Sequence, residues 1–176
     1  MKKAAMVLGI LAGALTLACS TLTTAVDYDH TVNWSQFHTF QLAGGTKDPL
    51  TFTQKRIEDA ITSTLTSKGW QAVTTNPDIL VYTHTVLGQQ KQWNATSTGG
   101  GWGYRGWGGM GGMTTATETN IPIGTLVVDL VNPKTNELSW RGTASDQISA
   151  SGAEQGQIQD AVAALFKNFP PAPGTK

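Results

Sequence analysis

Apolar side chains recur at helical spacing in two parts of the chain. The first set shows intervals of seven, four and four residues and consists of Leu50, Ile57, Ile61 and Leu65. The second set also lies on one helical face and consists of Ile158, Val162, Leu165 and Phe169. Asp48 and Pro49 are suited to begin the first helix, and Gly69 to end it. Residues 151–154 have the pattern of a capping box, and Pro170 marks the end of the second helix.

Extended segments precede and separate these two helices. Six segments have extended character: residues 26–29, 37–42, 70–73, 79–87, 124–131 and 138–145. A turn cluster at residues 132–136 joins the last two strands into a hairpin. If Leu130 and Trp140 share the buried face, Asp129 and Arg141 lie opposite each other on the polar face, where an ion pair is possible. We therefore expect an α+β fold, a two-layer sandwich with a mostly antiparallel sheet and two amphipathic helices on one face.

Residues 99–113, hereafter the Gly/Trp segment, differ in character from the rest of the chain. Nine of these fifteen residues are glycine, which excludes a regular element. Large aromatic groups on this flexible part of the chain form a possible contact surface: Trp93, Trp102, Tyr104 and Trp107. Its occupant would be an envelope protein, a membrane or a glycan. A low-complexity insertion without a specific partner is the alternative.

The N-terminus has the features of an exported lipoprotein. Lys2 and Lys3 precede an uncharged run that ends at Ala18, a pattern typical of a signal peptide and too short for a stable membrane span. Cys19 is the only cysteine, so it cannot form an internal disulfide, and acylation explains its presence. We expect Cys19 to anchor the chain to the lipid bilayer, with a secretory signal beside a chance cysteine as the alternative. Ser20, where an inner-membrane retention signal usually has aspartate, favours the outer membrane, facing the periplasm.

The sequence also predicts the remaining segment boundaries, and its charge balance limits the class of partner. We expect residues 1–18 to be the signal peptide, 19–25 the acylated cysteine with a tether, 26–170 a single domain and 171–176 a C-terminal tail. Removing Lys2 and Lys3 from a balance of 12 basic and 12 acidic side chains leaves a formal net charge of −2. A nucleic-acid partner is therefore not expected, because such binding requires a basic surface.

Candidate chemistry is sparse. His30, His38 and His84 lack the spacing of metal ligands, and no phosphate-binding or nucleophile motif is present, so we expect no metal, no cofactor and no catalytic residue. Non-enzymatic binding or scaffolding is the favoured function, and a hydrolase of an envelope polymer, with the Gly/Trp segment as substrate platform, is the alternative. A hydrolase would bring together, beside that segment, at least two of six residues: Asp27, Asp29, His38, His84, Glu118 and Asp129.

Short motifs occur in a characteristic order along the chain: Asp27-Tyr28-Asp29, Phe37-x-Thr39-Phe40, Lys68-Gly69-Trp70, Pro77-Asp78-Ile79-Leu80-Val81 and Leu138-x-Trp140-Arg141-Gly142-x-Ala144. In this order they resemble a bacterial lipoprotein family known as domain of unknown function 4136. A Gly-, Trp- and Tyr-rich insertion before the hairpin is also usual in that family. The resemblance covers roughly residues 25–170. It implies an envelope lipoprotein with an α+β domain and supplies no catalytic or ligand residues.

Overall fold

The computed structural model describes residues 21–44, 52–97 and 114–171. Over these residues the chain forms a mixed α/β fold with a six-stranded sheet and two α-helices. In chain order the elements are β1 (Thr23–Tyr28), a 3₁₀ helix (Trp34–Gln36), β2 (Thr39–Leu42), α1 (Phe52–Ser67), β3 (Gln71–Ala72), β4 (Ile79–Ser97), β5 (Thr114–Asn132), β6 (Glu137–Gln147) and α2 (Gln155–Leu165).

The strands lie in the order β1-β6-β5-β4-β2-β3. Three neighbouring pairs are antiparallel: β1 with β6, β6 with β5, and β5 with β4. The two pairs that involve β2 are parallel, and α1 lies between β2 and β3 in the chain. This connection follows the rule that parallel neighbours need a crossover, for which a helix is the usual solution.

One hydrophobic core joins the helices to the sheet. Its fully buried side chains include the predicted helical residues Ile57, Ile61, Leu65, Val162 and Leu165 together with Val81, Val128, Leu130 and Trp140 from the strands. Burying a side chain of this size contributes about 1.5–3 kcal/mol. Aromatic stacking extends it, since the rings of Trp140 and Phe166 lie 5.0 Å apart and nearly parallel.

A polar link holds β2 against the start of β4. The Asp78 carboxylate accepts hydrogen bonds from the backbone N–H groups of His38 and Thr39, both at 3.0 Å, and from the Thr39 hydroxyl at 2.7 Å. The Thr39 hydroxyl in turn accepts the Asp78 N–H at 2.9 Å. The His38 N–H and then the Thr39 hydroxyl hold the pKa of Asp78 below its usual value, because these donors stabilise the carboxylate form. No apolar periodicity indicates this contact in the sequence.

The second helix begins later than the sequence indicates. Residues 151–154 are not its capping box: Glu154 is the N-cap residue, and its N–H donates to the Gln157 side chain at 3.1 Å. Gly152 has a φ of +100°, a conformation outside the helical region, and its N–H bonds to the Ser149 carbonyl. Because of this turn the helix starts only at Gln155. The helix ends at Leu165, so Phe169 is buried in the core beyond the helix and not within it.

Other boundaries also differ from those expected. β1 begins at Thr23, inside the region expected to be a tether, because it pairs with β6 along its whole length. β4 and β5 are 19 residues each and extend far past the predicted segments 79–87 and 124–131. The predicted opening of the first helix at Asp48 and Pro49 lies outside the described residues, as does Leu50.

Candidate functional site

The long hairpin of β4 and β5 projects beyond the rest of the sheet. Pairing between β5 and β6 extends as far as Ile123, opposite Gln147. Residues 89–97 and 114–122 continue past that point and, among the described strands, pair with each other alone. We call these two segments the arm. Nine residue pairs at strand spacing give the arm a length of about 30 Å.

Among its described side chains, the arm has no hydrophobic core of its own. Every described side chain at residues 89–94 and 116–120 is exposed. Contacts between the two strands, and not burial, connect its side chains. The clearest is an ion pair in which Lys91 Nζ lies 2.7 Å from Glu118 Oε1. Both side chains reach solvent, so this pair is worth at most about 1 kcal/mol. Threonine at positions 117 and 119 suits a strand, because β-branched side chains favour extended backbone.

Trp93 is the large aromatic side chain that the arm presents to solvent. It lies within β4, opposite Glu118, and is 66% exposed. The expectation that Trp93 belongs to a flexible segment is therefore wrong, because regular antiparallel pairing holds its backbone. The arm ends at Ser97 and Thr114, and the chain between them contains the Gly/Trp segment. Trp102, Tyr104 and Trp107 lie outside the described residues, as does Cys19.

Asp129 and Arg141 form the ion pair that strand alternation predicts. The two residues are direct cross-strand neighbours, and Leu130 and Trp140 beside them are both buried. Arg141 Nε lies 2.6 Å from Asp129 Oδ1, and Arg141 Nη2 lies 2.7 Å from Asp129 Oδ2. This two-point hydrogen bond raises the pKa of the Arg141 guanidinium above its usual value. Because both Asp129 oxygens are engaged, the carboxylate links β5 to β6 and is poorly placed to act as a base.

A comparison with protein families identifies the family of this chain. A family model described as a domain of unknown function (DUF4136) matches residues 24–171. The chain belongs to this family. The match includes both helices, all strands from the second residue of β1 onward, and the arm with its connecting segment.

Several solved structures are similar to this DUF4136 chain at low sequence identity. A PDZ domain protein from Parabacteroides distasonis matches with a TM-score of 0.56 and 14% identity, covering 89% of this chain. The match spans only 37% of that protein. The PelC dodecamer from Paraburkholderia phytofirmans has a TM-score of 0.45 at 11% identity, covering 82% and 94% of the two chains. A minor lipoprotein from Acinetobacter baumannii has a TM-score of 0.41 at 11% identity, covering 76% and 93%. No curated protein matches the sequence.

The six ionisable residues that a hydrolase would bring together occupy different surroundings in this DUF4136 domain. Asp29 accepts hydrogen bonds from the hydroxyl and the N–H of Thr31, which lower its pKa and close a turn. Glu118 pairs with Lys91 on the arm, and Asp129 with Arg141. The remaining three are all exposed: Asp27, His38 and His84. Nothing in this arrangement supports the hydrolase alternative.

The described residues also bear on metal binding and on membrane spans. No group of three or more His, Cys, Asp or Glu residues in this part of the chain could hold a metal ion. Neither α1 nor α2, the helices that the structure describes, is long and apolar enough to cross a bilayer.

Proposed function

We propose that this protein is an envelope lipoprotein, held at the outer membrane through acylated Cys19 and facing the periplasm, whose domain acts by binding and not by catalysis. The signal-peptide pattern up to Ala18 and the lone cysteine support the anchor. Thr23, the first residue of β1, follows Cys19 by four residues, so the sheet begins within about 14 Å of the acylated residue. An anchor of this kind keeps the domain at the membrane surface.

We further propose that α1 and α2 cover one face of the sheet as a two-layer sandwich. Along β6, buried Trp140, Gly142 and Ala144 alternate with the more exposed Arg141 and Thr143. The buried set belongs to the same side as the helical core residues, whereas Arg141 and Thr143 belong to the other side. On that side Arg141 pairs with Asp129, which is itself only 6% exposed. On this arrangement the helices leave the second face of the sheet open.

The observation that carries the binding function is the arm. The arm is a paired ribbon about 30 Å long, and none of its described side chains is buried in the core, yet it holds Trp93 beyond the part of the sheet in which β5 pairs with β6. Its outer backbone edges have no ladder partner among the described strands, and such edges accept an additional strand from another protein. The arm therefore serves as a contact element for an envelope protein, with Trp93 as an apolar anchor.

The test places a photoreactive phenylalanine analogue at position 93 in intact cells. The matched control places it at position 134, in the exposed β5–β6 turn at the opposite end of the sheet. We expect the membrane fraction to contain a discrete adduct with an envelope protein from position 93 and none from position 134. Cys19→Ser should move the protein out of the salt-washed membrane fraction and abolish the adduct. A glycan adduct, equal labelling from both positions, or membrane retention of Cys19→Ser would contradict the proposal.

A further inference from the structure

A cavity of about 890 Å³ lies between the N-terminal turns of the two helices, the 148–153 segment and the base of the arm. Its lining includes Ile57 of α1, Ile158 of α2, Leu87 of β4, Leu126 of β5 and Ile148. A volume of this size is within the range of small-molecule sites. Leu87 is 77% exposed although it lines this cavity, so a large apolar side chain here faces open space.

The chemistry of the lining indicates the class of ligand. The apolar lining residues are all aliphatic, and none of the lining residues is aromatic. Uncharged polar side chains such as Thr85, Thr125 and Gln157 accompany them. Asp146 is the single charged residue among them, so no basic group is present to bind a carboxylate or a phosphate. A ligand that matches this lining is a flexible aliphatic chain whose polar end remains outside. A free fatty acid fits poorly, because its carboxylate would face the Asp146 carboxylate.

The course of the N-terminal segment indicates where such a chain comes from. Leu22 is itself part of the cavity lining. The Thr21 hydroxyl donates a hydrogen bond to Asp146 Oδ1, which fixes the chain beside the cavity two residues after Cys19. Two residues span at most about 7 Å, so a lipid attached to the Cys19 sulfur starts close to the cavity. We propose that the cavity receives one acyl chain of the lipid on Cys19.

This inference rests on the proposed lipid anchor and gives it an additional role. When one acyl chain occupies the cavity, α1 and α2 are held close to the membrane surface through the same residue that anchors the protein. The remaining acyl chains stay in the bilayer. The domain is then oriented by its own lipid in addition to being tethered by it.

The test uses the full protein in cells that are fed a fatty acid bearing a photoreactive diazirine. Irradiation is followed by peptide mass spectrometry. We expect adducts that join the Cys19 peptide to cavity residues, above all the 148–153 segment and Ile158. Thr85→Trp, at an exposed cavity position, and Ala153→Trp should each abolish these adducts by filling the space. The control Ala163→Trp lies on the exposed side of α2 and should leave them unchanged. Two filling variants are used so that a folding defect in one, detected by circular dichroism, leaves the other informative.

The outcomes separate this inference from the anchor on which it depends. If Cys19 carries no label, the anchor itself is refuted. If Cys19 is labelled but forms adducts with bilayer lipid alone, the anchor stands and the cavity assignment is wrong. Adducts between cavity residues and a phospholipid, without the Cys19 peptide, would show that the bilayer supplies the chain and would also overturn the assignment. If another segment of this protein occupied the cavity, the cavity peptides would carry no diazirine adduct at all, and the assignment would again be wrong.

Discussion

Gly142 offers a sharp test of the packing between β6 and α2. An added Cβ at this position would lie 2.4 Å from Trp140 Cη2, 2.9 Å from Trp140 Cζ3 and 3.1 Å from Leu165 Cδ2. The first two distances are far below van der Waals contact, so Gly142→Ala requires the indole ring to move. The absence of a side chain at position 142 thus creates the space in which Trp140 lies.

The indole has little freedom to yield. Trp140 is 1% exposed, stacks on Phe166 at 5.0 Å, and meets the edge of Phe169 at 5.7 Å. Overpacking a closed core costs about 1–3 kcal/mol, and disturbing an aromatic pair adds roughly 0.5–1.5 kcal/mol. Alanine recovers about 0.4–1 kcal/mol by restricting the unfolded chain. We therefore expect Gly142→Ala to lower the free energy of unfolding by about 0.5–4 kcal/mol.

Urea unfolding followed by circular dichroism measures this loss as a shift of the midpoint at constant m-value. The matched control is Gly88→Ala, also in a strand, where an added Cβ meets no atom within 4 Å. The double variant Gly142→Ala with Trp140→Leu should lose less than the sum of the two single changes, because the smaller side chain makes room for the methyl group. Equal midpoints for Gly142→Ala and Gly88→Ala, or strictly additive losses in the double variant, would refute the steric argument.

Two further predictions concern the hydrophobic core and the loss of stability at acid pH. Leu65→Ala should lower the free energy of unfolding, measured with urea, by about 2–5 kcal/mol because Leu65 is only 1% exposed. The control Thr66→Ala changes an exposed residue of the same helix and should alter that free energy little. Similar unfolding midpoints for the two variants would contradict the assigned helix face. The pKa of Asp78 is held below 3.8 in the folded state, so its stabilising effect is complete above that pH and disappears as the pH falls through the folded pKa. Asp78→Asn should therefore flatten the loss of stability between neutral and acid pH, measured by urea unfolding at several pH values, while Asp160→Asn on the surface should give a curve parallel to that of the parent.

The elements that the sequence predicts correctly depend on local patterns. Ile57, Ile61 and Leu65 recur at helical spacing, and the structure buries all three. The Asp129–Arg141 pair follows from the alternation of apolar and polar residues on both sides of one short turn. Because the turn is short, the sequence predicts the register of the two strands directly. The start of α2 was harder to predict, because the left-handed turn at Gly152 outweighs a good capping motif.

The arm and the cavity lack such local signals. Residues 89–94 and 116–120 are exposed on both faces, so no apolar alternation marks them as strands, and their pairing becomes evident only when the two segments are aligned. The cavity joins residues that are far apart in the chain, from Leu22 through Ile57 to Ile148. Its existence depends on how the helices and the 148–153 segment meet the sheet, which no single stretch of sequence specifies.

The position of β1 at the edge of the sheet imposes an order on folding. Its neighbour among the described strands is β6, with Thr23 opposite Ser145 and Tyr28 opposite Trp140. The first described strand to emerge during synthesis therefore waits for the last one, and closing so large a loop slows folding. Until β6 arrives, residues 23–28 have no strand to pair with. Once β6 is in place it pairs with β5 on one side and with β1 on the other, so the last strand to be made is the one that completes this end of the sheet.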